Sequence, residues 1–89
     1  MTRREKAQRA ILANIHDRPN DQLGAGSPPL ELEEYEAKTI NAIAREMTEI
    51  EQLIEADIES DADGDITAVI PRGLTERGAK YLELLKAAP

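Results

Sequence analysis

Several residue types that carry chemistry are missing or rare in this chain. It has no cysteine, no tryptophan and no phenylalanine, and its aromatic residues are Tyr35 and Tyr81. Without cysteine, disulfides, thiolate metal ligands and thiol catalysis are excluded. The single histidine, His16, cannot make a usual zinc site alone, and a second histidine that could support a nucleophilic triad is missing. The core must be built from aliphatic side chains.

Longer signals of catalysis and membrane insertion are also missing. No apolar run is long enough to span a membrane, and none follows the basic residues 1–6 as in a signal peptide. The Gly24-Ala25-Gly26 run lacks the third glycine and the preceding strand of a phosphate-binding loop. A calcium loop placed on Gly64 would put Ile70 where a bidentate glutamate belongs. We therefore expect a cytoplasmic, non-enzymatic protein with no cofactor, no metal and no membrane association.

Charge is abundant and unevenly distributed. The 89 residues have a net charge of −7 and support one domain, which we place over residues 1–89. Residues 31–65 carry thirteen acidic and two basic side chains, a block of −11 between two mildly basic ends. Such a block repels phosphate and attracts basic surfaces, unless it is simply the solvated face of a helix.

The first third of the chain predicts a helix followed by a loop. Residues 4–17 carry Ala7, Ile11, Leu12 and Ile15 at helical spacing. Residues 18–29 are rich in glycine, proline and asparagine and predict a loop. Ser27 and the two prolines after it would then cap and open the next helix.

Residues 30–54 give the longest helical signal. Their apolar stripe is heptad-like and predicts one helix, or two joined near residues 37–39. A winged helix requires two, whereas one unbroken helix would favour a helical pairing surface. The stripe consists of Ile40, Ile43, Met47, Ile50 and Ile54.

The last third predicts a β-hairpin and a final helix. Residues 54–60 and 66–70 alternate apolar with polar positions, and Asp63-Gly64 between them is typical of a hairpin turn. Thr75 is placed to cap the helix that follows. Gly78 in its first turn is costly relative to alanine, which indicates close approach of another backbone.

The tail Leu74-Thr75-x-x-Gly78-x-x-Tyr81-Leu82, together with the hairpin spacing and the Ala10-Ile11-Leu12 helix, resembles small prokaryotic and phage winged-helix proteins. The resemblance covers about half of the chain and implies an α+β fold. In this fold three to four helices accompany a two-stranded C-terminal hairpin, the wing. It further implies transcription regulation through a helix-turn-helix that reads the major groove of DNA.

The two elements that would contact DNA in this fold carry the wrong sign of charge for binding it. The expected groove helix, residues 38–51, is rich in glutamate, and the wing tip carries three aspartates; both would repel phosphate. We therefore expect an acidic interaction module that binds a basic protein partner or self-associates. Its predicted partner surface is Glu46, Glu49, Glu51, Asp57, Asp61, Asp63 and Asp65. Such a surface could also mimic nucleic acid.

The alternative is a DNA-binding regulator that uses the basic ends of the chain. The candidate nucleic-acid contacts are Arg3, Arg4, Lys6, Arg9, Arg72, Arg77 and Lys80. They would form one basic face if the two ends meet in space.

Overall fold

The computed structural model describes residues 1–88, which form three α-helices and one β-hairpin. In chain order these are α1 (Arg3–His16), a short 3-10 helix (Asn20–Gln22), α2 (Ala37–Glu49), β1 (Ile54–Ser60), β2 (Ile66–Leu74) and α3 (Glu76–Ala87). β1 and β2 pair antiparallel. The predicted α+β class, with a C-terminal two-stranded hairpin, is confirmed.

Helix α1 matches its predicted span within one residue at each end. It begins with a capping box in which the Thr2 hydroxyl accepts from the Glu5 N–H (3.1 Å) and Glu5 Oε1 accepts from the Thr2 N–H (2.9 Å). The predicted apolar positions are all buried. They pack into a single aliphatic cluster with α2, α3 and Val69 of β2.

The helical prediction for residues 30–54 is wrong in its extent. Ser27 and the prolines do not begin a helix, because the chain there lies along β2: the Gly24 N–H donates to the Pro71 carbonyl (2.9 Å) and the Leu30 N–H to the Val69 carbonyl (2.8 Å). Residues 31–36 are irregular, and only residues 37–49 are helical. Within the described residues, the second helix that a helix-turn-helix needs is therefore missing from this region.

No glycine or proline marks the end of α2 in the sequence. The chain leaves the helix through Gln52, which takes a left-handed φ of 55°, and the Leu53 N–H donates to the Met47 carbonyl (2.8 Å). The predicted apolar stripe is consequently split. Ile40, Met47 and Ile54 are buried, whereas Ile50, at the turn, is 72% exposed.

The hairpin is confirmed, and β2 is longer than predicted because it continues through Pro71 to Leu74. Its register pairs Ile54 with Leu74 and Ile58 with Val69. Irregularities in the pairing fall between Glu55 and Ala56 and between Glu59 and Ser60. Gly64 takes the positive φ of 86° that the turn requires.

Helix α3 begins where the sequence predicts. The Thr75 hydroxyl accepts from the Gly78 N–H (2.9 Å), as expected for an N-cap. Gly78 is buried, and a Cβ there would collide with the Leu53 carbonyl oxygen and lie 2.8 Å from its carbon. The predicted close approach of another backbone is confirmed, and it fixes α3 against the chain that enters β1.

Candidate functional site

The hairpin presents six exposed carboxylates, and they alternate along β1 before continuing into the turn. We call them the acidic hairpin surface: Glu55, Asp57, Glu59, Asp61, Asp63 and Asp65. Glu55 and Glu59 were not among the residues predicted from the sequence. The alternation that predicts β1 could have found them, because every second residue of a strand lies on the same side as Asp57.

Few ion pairs compensate this surface, although Lys38 and Arg45 of α2 line a cleft together with Asp65. Among residues 1–88, one ion pair reaches it, between Arg72 Nη1 and Asp57 Oδ1 (3.6 Å). Asp61 has a structural role as well, because its Oδ1 accepts from the backbone N–H groups of Asp63 (2.9 Å) and Asp65 (3.0 Å). The turn thus holds three aspartates close together in sequence, and Asp61 orders the loop that carries the other two.

The predicted acidic residues of α2 and its C-terminal end behave differently, because the protein neutralises them internally. Glu49 pairs with Arg45 one turn earlier (3.2 Å). Glu46 and Glu51 both pair with Arg4 of α1, at 3.5 Å and 2.7 Å. Of the seven predicted partner residues, Asp61, Asp63 and Asp65 have no ion pair within residues 1–88, whereas Asp57, Glu46, Glu49 and Glu51 are already paired.

Glu51 ties three parts of the fold together. Its carboxylate accepts from Arg4 and from Gln8 Nε2 (3.1 and 3.2 Å), and the Gln8 Oε1 accepts in turn from the Tyr81 hydroxyl of α3 (3.1 Å). Hydrogen bonding to Arg4 is the main cause that lowers the pKa of Glu51. Burial is the main cause that raises the pKa of Tyr81. Glu51 therefore acts as a structural link between α1, α3 and the α2–β1 connection.

An open cleft of 720 Å³ lies beside this link. Its wall includes Leu53, Tyr81 and Leu84, of which Leu84 is 67% exposed. Arg77 and Lys80 line the same cleft, and Arg77 donates to the Glu51 carbonyl oxygen (3.2 Å). Glu51 and Glu76 line the cleft as well, so it combines apolar groups with charges of both signs and is a contact area separate from the acidic hairpin surface.

The basic candidates for nucleic acid do not act as one group. Arg4, Arg72 and Lys80 are ion-paired within the chain, the last with Glu76 (3.5 Å). Helices α1 and α3 do pack against each other. Even so, their basic side chains line different clefts. Within the described residues, the candidates without an ion pair are Arg3, Lys6 and Arg9 on α1 and Arg77 on α3, whose guanidinium donates to the Glu51 carbonyl oxygen.

Two other kinds of feature are missing from the described part of the chain. Within residues 1–88, His, Asp and Glu side chains form no group of three or more that could hold a metal ion. None of the described helices has the length and apolar character needed to cross a membrane.

The chain matches no protein-family model, no curated protein and no solved structure.

Proposed function

We propose that this protein is a non-catalytic interaction module that binds a basic protein partner through the acidic hairpin surface. The observation that carries the proposal is the charge balance of the hairpin: six exposed carboxylates and one opposing ion pair in the described residues. A concentration of one sign of charge speeds encounter with an oppositely charged partner and repels polyanions. The paired glutamates at 46, 49 and 51 contribute less, because their charge is already compensated.

We further propose that the arrangement is a winged-helix variant. Three features support it: the hairpin leads directly into a Thr75-capped helix, residues 24–30 lie along β2 as a short third strand would, and α1 packs on α2. Within residues 1–88, no α-helix lies between α1 and α2, so α2 lacks the adjoining helix with which a groove-reading helix usually pairs. This variant is better suited to protein contacts than to reading bases.

The proposal is tested by titrating a fluorescent lysine-rich peptide with the protein at low salt. We expect saturable binding that weakens as salt rises, since the contact is electrostatic. The triple variant Asp57→Asn, Asp63→Asn, Asp65→Asn should bind several-fold more weakly. The matched control is Glu31→Gln, Glu33→Gln, Glu34→Gln, which removes the same net charge from exposed residues outside the hairpin. Equal losses in the two variants would mean that net charge, and not the hairpin, drives binding.

Nucleic-acid binding remains the second candidate because of one observation. Arg3, Lys6 and Arg9 follow one another along the exposed side of α1, and none has an ion-pair partner in residues 1–88. Three cations form a small phosphate-binding patch, enough for weak salt-sensitive binding but short of a specific site. Titration with duplex DNA over a range of salt concentrations separates this candidate from the first.

A further inference from the structure

The two outer edges of the hairpin are not equivalent. The outer edge of β2 is occupied, because Gly24 and Leu30 donate to its Pro71 and Val69 carbonyls. The outer edge of β1 carries no such backbone partner within the described residues. An unpaired strand edge is a template on which another extended chain can add.

The register identifies which groups of β1 face the open edge. In an antiparallel ladder, the N–H and C=O of one residue point to the same side, and successive residues alternate sides. The carbonyls of Val69 and Pro71 point away from β1, toward Leu30 and Gly24. Their cross-strand partners Ile58 and Ala56 are therefore in non-hydrogen-bonded pairs with β2. Their own N–H and C=O groups point outward, to the open edge.

The side chains of β1 define what this edge accepts. Ala56 and Ile58 are half-buried on the core side, whereas Glu55, Asp57 and Glu59 are exposed on the other side. A strand added to the edge would hydrogen-bond to Ala56 and Ile58. The residues of the added strand that lie opposite Asp57 would contact the acidic side chains on that side of β1. Basic residues at alternate positions complement that row.

A second copy of this chain does not supply a strand with basic residues at alternate positions for the open edge of β1. Pairing β1 with another β1 would bring two rows of carboxylates together, and like charges directly opposite each other destabilise a ladder. Charges on an edge strand are a known protection against such self-association. The occupant that fits is a segment of different composition.

We infer that the partner contributes an extended segment, with basic and small or apolar residues in alternation, which adds to the hairpin as a strand beside β1. This inference rests on the proposed function and specifies its mode. The backbone groups of Ala56 and Ile58 give the segment its register. The carboxylates of Glu55, Asp57 and Glu59 select its charge.

The test uses a short soluble peptide in which lysine and threonine alternate, together with two isomers carrying the same number of backbone N-methyl groups. In the proposed register the threonine N–H groups face β1 and the lysine N–H groups face solvent. Methylation of the threonine backbone nitrogens should weaken binding about tenfold or more, since at least two backbone hydrogen bonds are lost. Methylation of the lysine backbone nitrogens should leave the dissociation constant nearly unchanged.

The outcomes separate the mode from the proposed function. If both methylated isomers bind as tightly as the parent peptide, strand addition is wrong, while binding of a basic partner still holds. If the parent peptide itself does not bind, the proposed function fails and the inference with it. An Ala56→Pro variant removes an outward N–H without taking a donor from the β1–β2 ladder. A folded Ala56→Pro protein that binds the parent peptide with unchanged affinity would also overturn strand addition.

Discussion

Arg4 and Glu51 are forty-seven positions apart in sequence, and their side chains meet at 2.7 Å on the surface of the folded protein. This contact joins the start of α1 to the turn between α2 and β1. Because Gln8 and Tyr81 extend it to α3, the contact connects all three helices. It also compensates the charges of Glu46 and Glu51. Within residues 1–88 the hairpin then carries five exposed carboxylates without an ion pair, and residues 31–36 carry four more.

We expect Glu51→Gln to lower the free energy of unfolding at neutral pH by less than about 1 kcal/mol, since the side chains of the pair are 43% and 30% exposed and solvent screens them. The lowered pKa of Glu51 gives the pH dependence. A depressed folded-state pKa adds stability above the ordinary value of 4.5, and that stability is lost as pH falls through the folded-state pKa.

The check is urea denaturation of wild type and variant at neutral pH and at an acid pH below the folded-state pKa of Glu51, where the difference should largely disappear because the carboxylate is then protonated. Arg3→Met is the control, because Arg3 neighbours Arg4 but has no ion pair in the described residues. A Glu51→Gln difference that is the same at both pH values would contradict the electrostatic origin of this stability.

Gly78→Ala should destabilise the protein by about 1–3 kcal/mol, the usual cost of overpacking a rigid site. In an open helix position the same change would stabilise, since alanine is the better helix former. The opposite sign arises because the added Cβ meets the Leu53 backbone, which cannot rotate away as a side chain can. The measurement is the Tm of Gly78→Ala in thermal denaturation. Ala79→Gly, at an exposed neighbouring position of α3, is measured for comparison. An unchanged or higher Tm for Gly78→Ala would show that α3 does not sit this close to Leu53.

The turn aspartates should separate into a structural and a binding group. Asp61→Ala should lower stability by about 1 kcal/mol, because two backbone N–H groups lose their acceptor. Asp63→Ala removes the same charge without removing such a bond, so we expect its stability to stay within about 0.5 kcal/mol of wild type. Chemical denaturation of the two variants measures the contrast. Equal losses would mean that the Asp61 side chain does not order the turn.

Random duplex DNA should bind negligibly at about 150 mM salt, since the acidic hairpin surface opposes the small patch on α1. Anisotropy titrations over a range of salt concentrations test this expectation. Binding that falls steeply with salt, and that is abolished by Arg3→Gln, Lys6→Gln and Arg9→Gln together, would instead favour the DNA-binding regulator.

Local signals predicted the parts of the fold that depend on local chemistry. Thr75 marks a helix start, Gly64 marks a turn, and Gly78 indicates a close backbone approach, because each residue type meets a constraint set by its immediate neighbours. The predicted junction near residues 37–39 coincides with the start of α2 at Ala37, but the irregular course of residues 31–36 could not be found in this way. Leu30 is buried and hydrogen-bonded to Val69, thirty-nine positions away, and that distant contact overrides the helical pattern after Pro29.

The candidate site was predictable to a similar degree. Alternation of acidic and apolar residues along β1 is a local pattern, so the sequence alone is enough to locate the acidic hairpin surface. The pairing of Arg45 with Glu49 was also readable from their spacing of four. The Arg4–Glu51 pair was not, since it depends on how α1 packs against the end of α2.

The central claim is that the acidic hairpin surface is where a basic partner binds. The most direct measurement follows the backbone amide NMR signals of the ¹⁵N-labelled protein during titration with the alternating lysine–threonine peptide. We predict shifts concentrated in residues 55–65, with α1 and the cleft beside Leu84 largely unaffected. Shifts centred on residues 3–9 or 77–84, or no shifts at all at saturating peptide, would contradict the account.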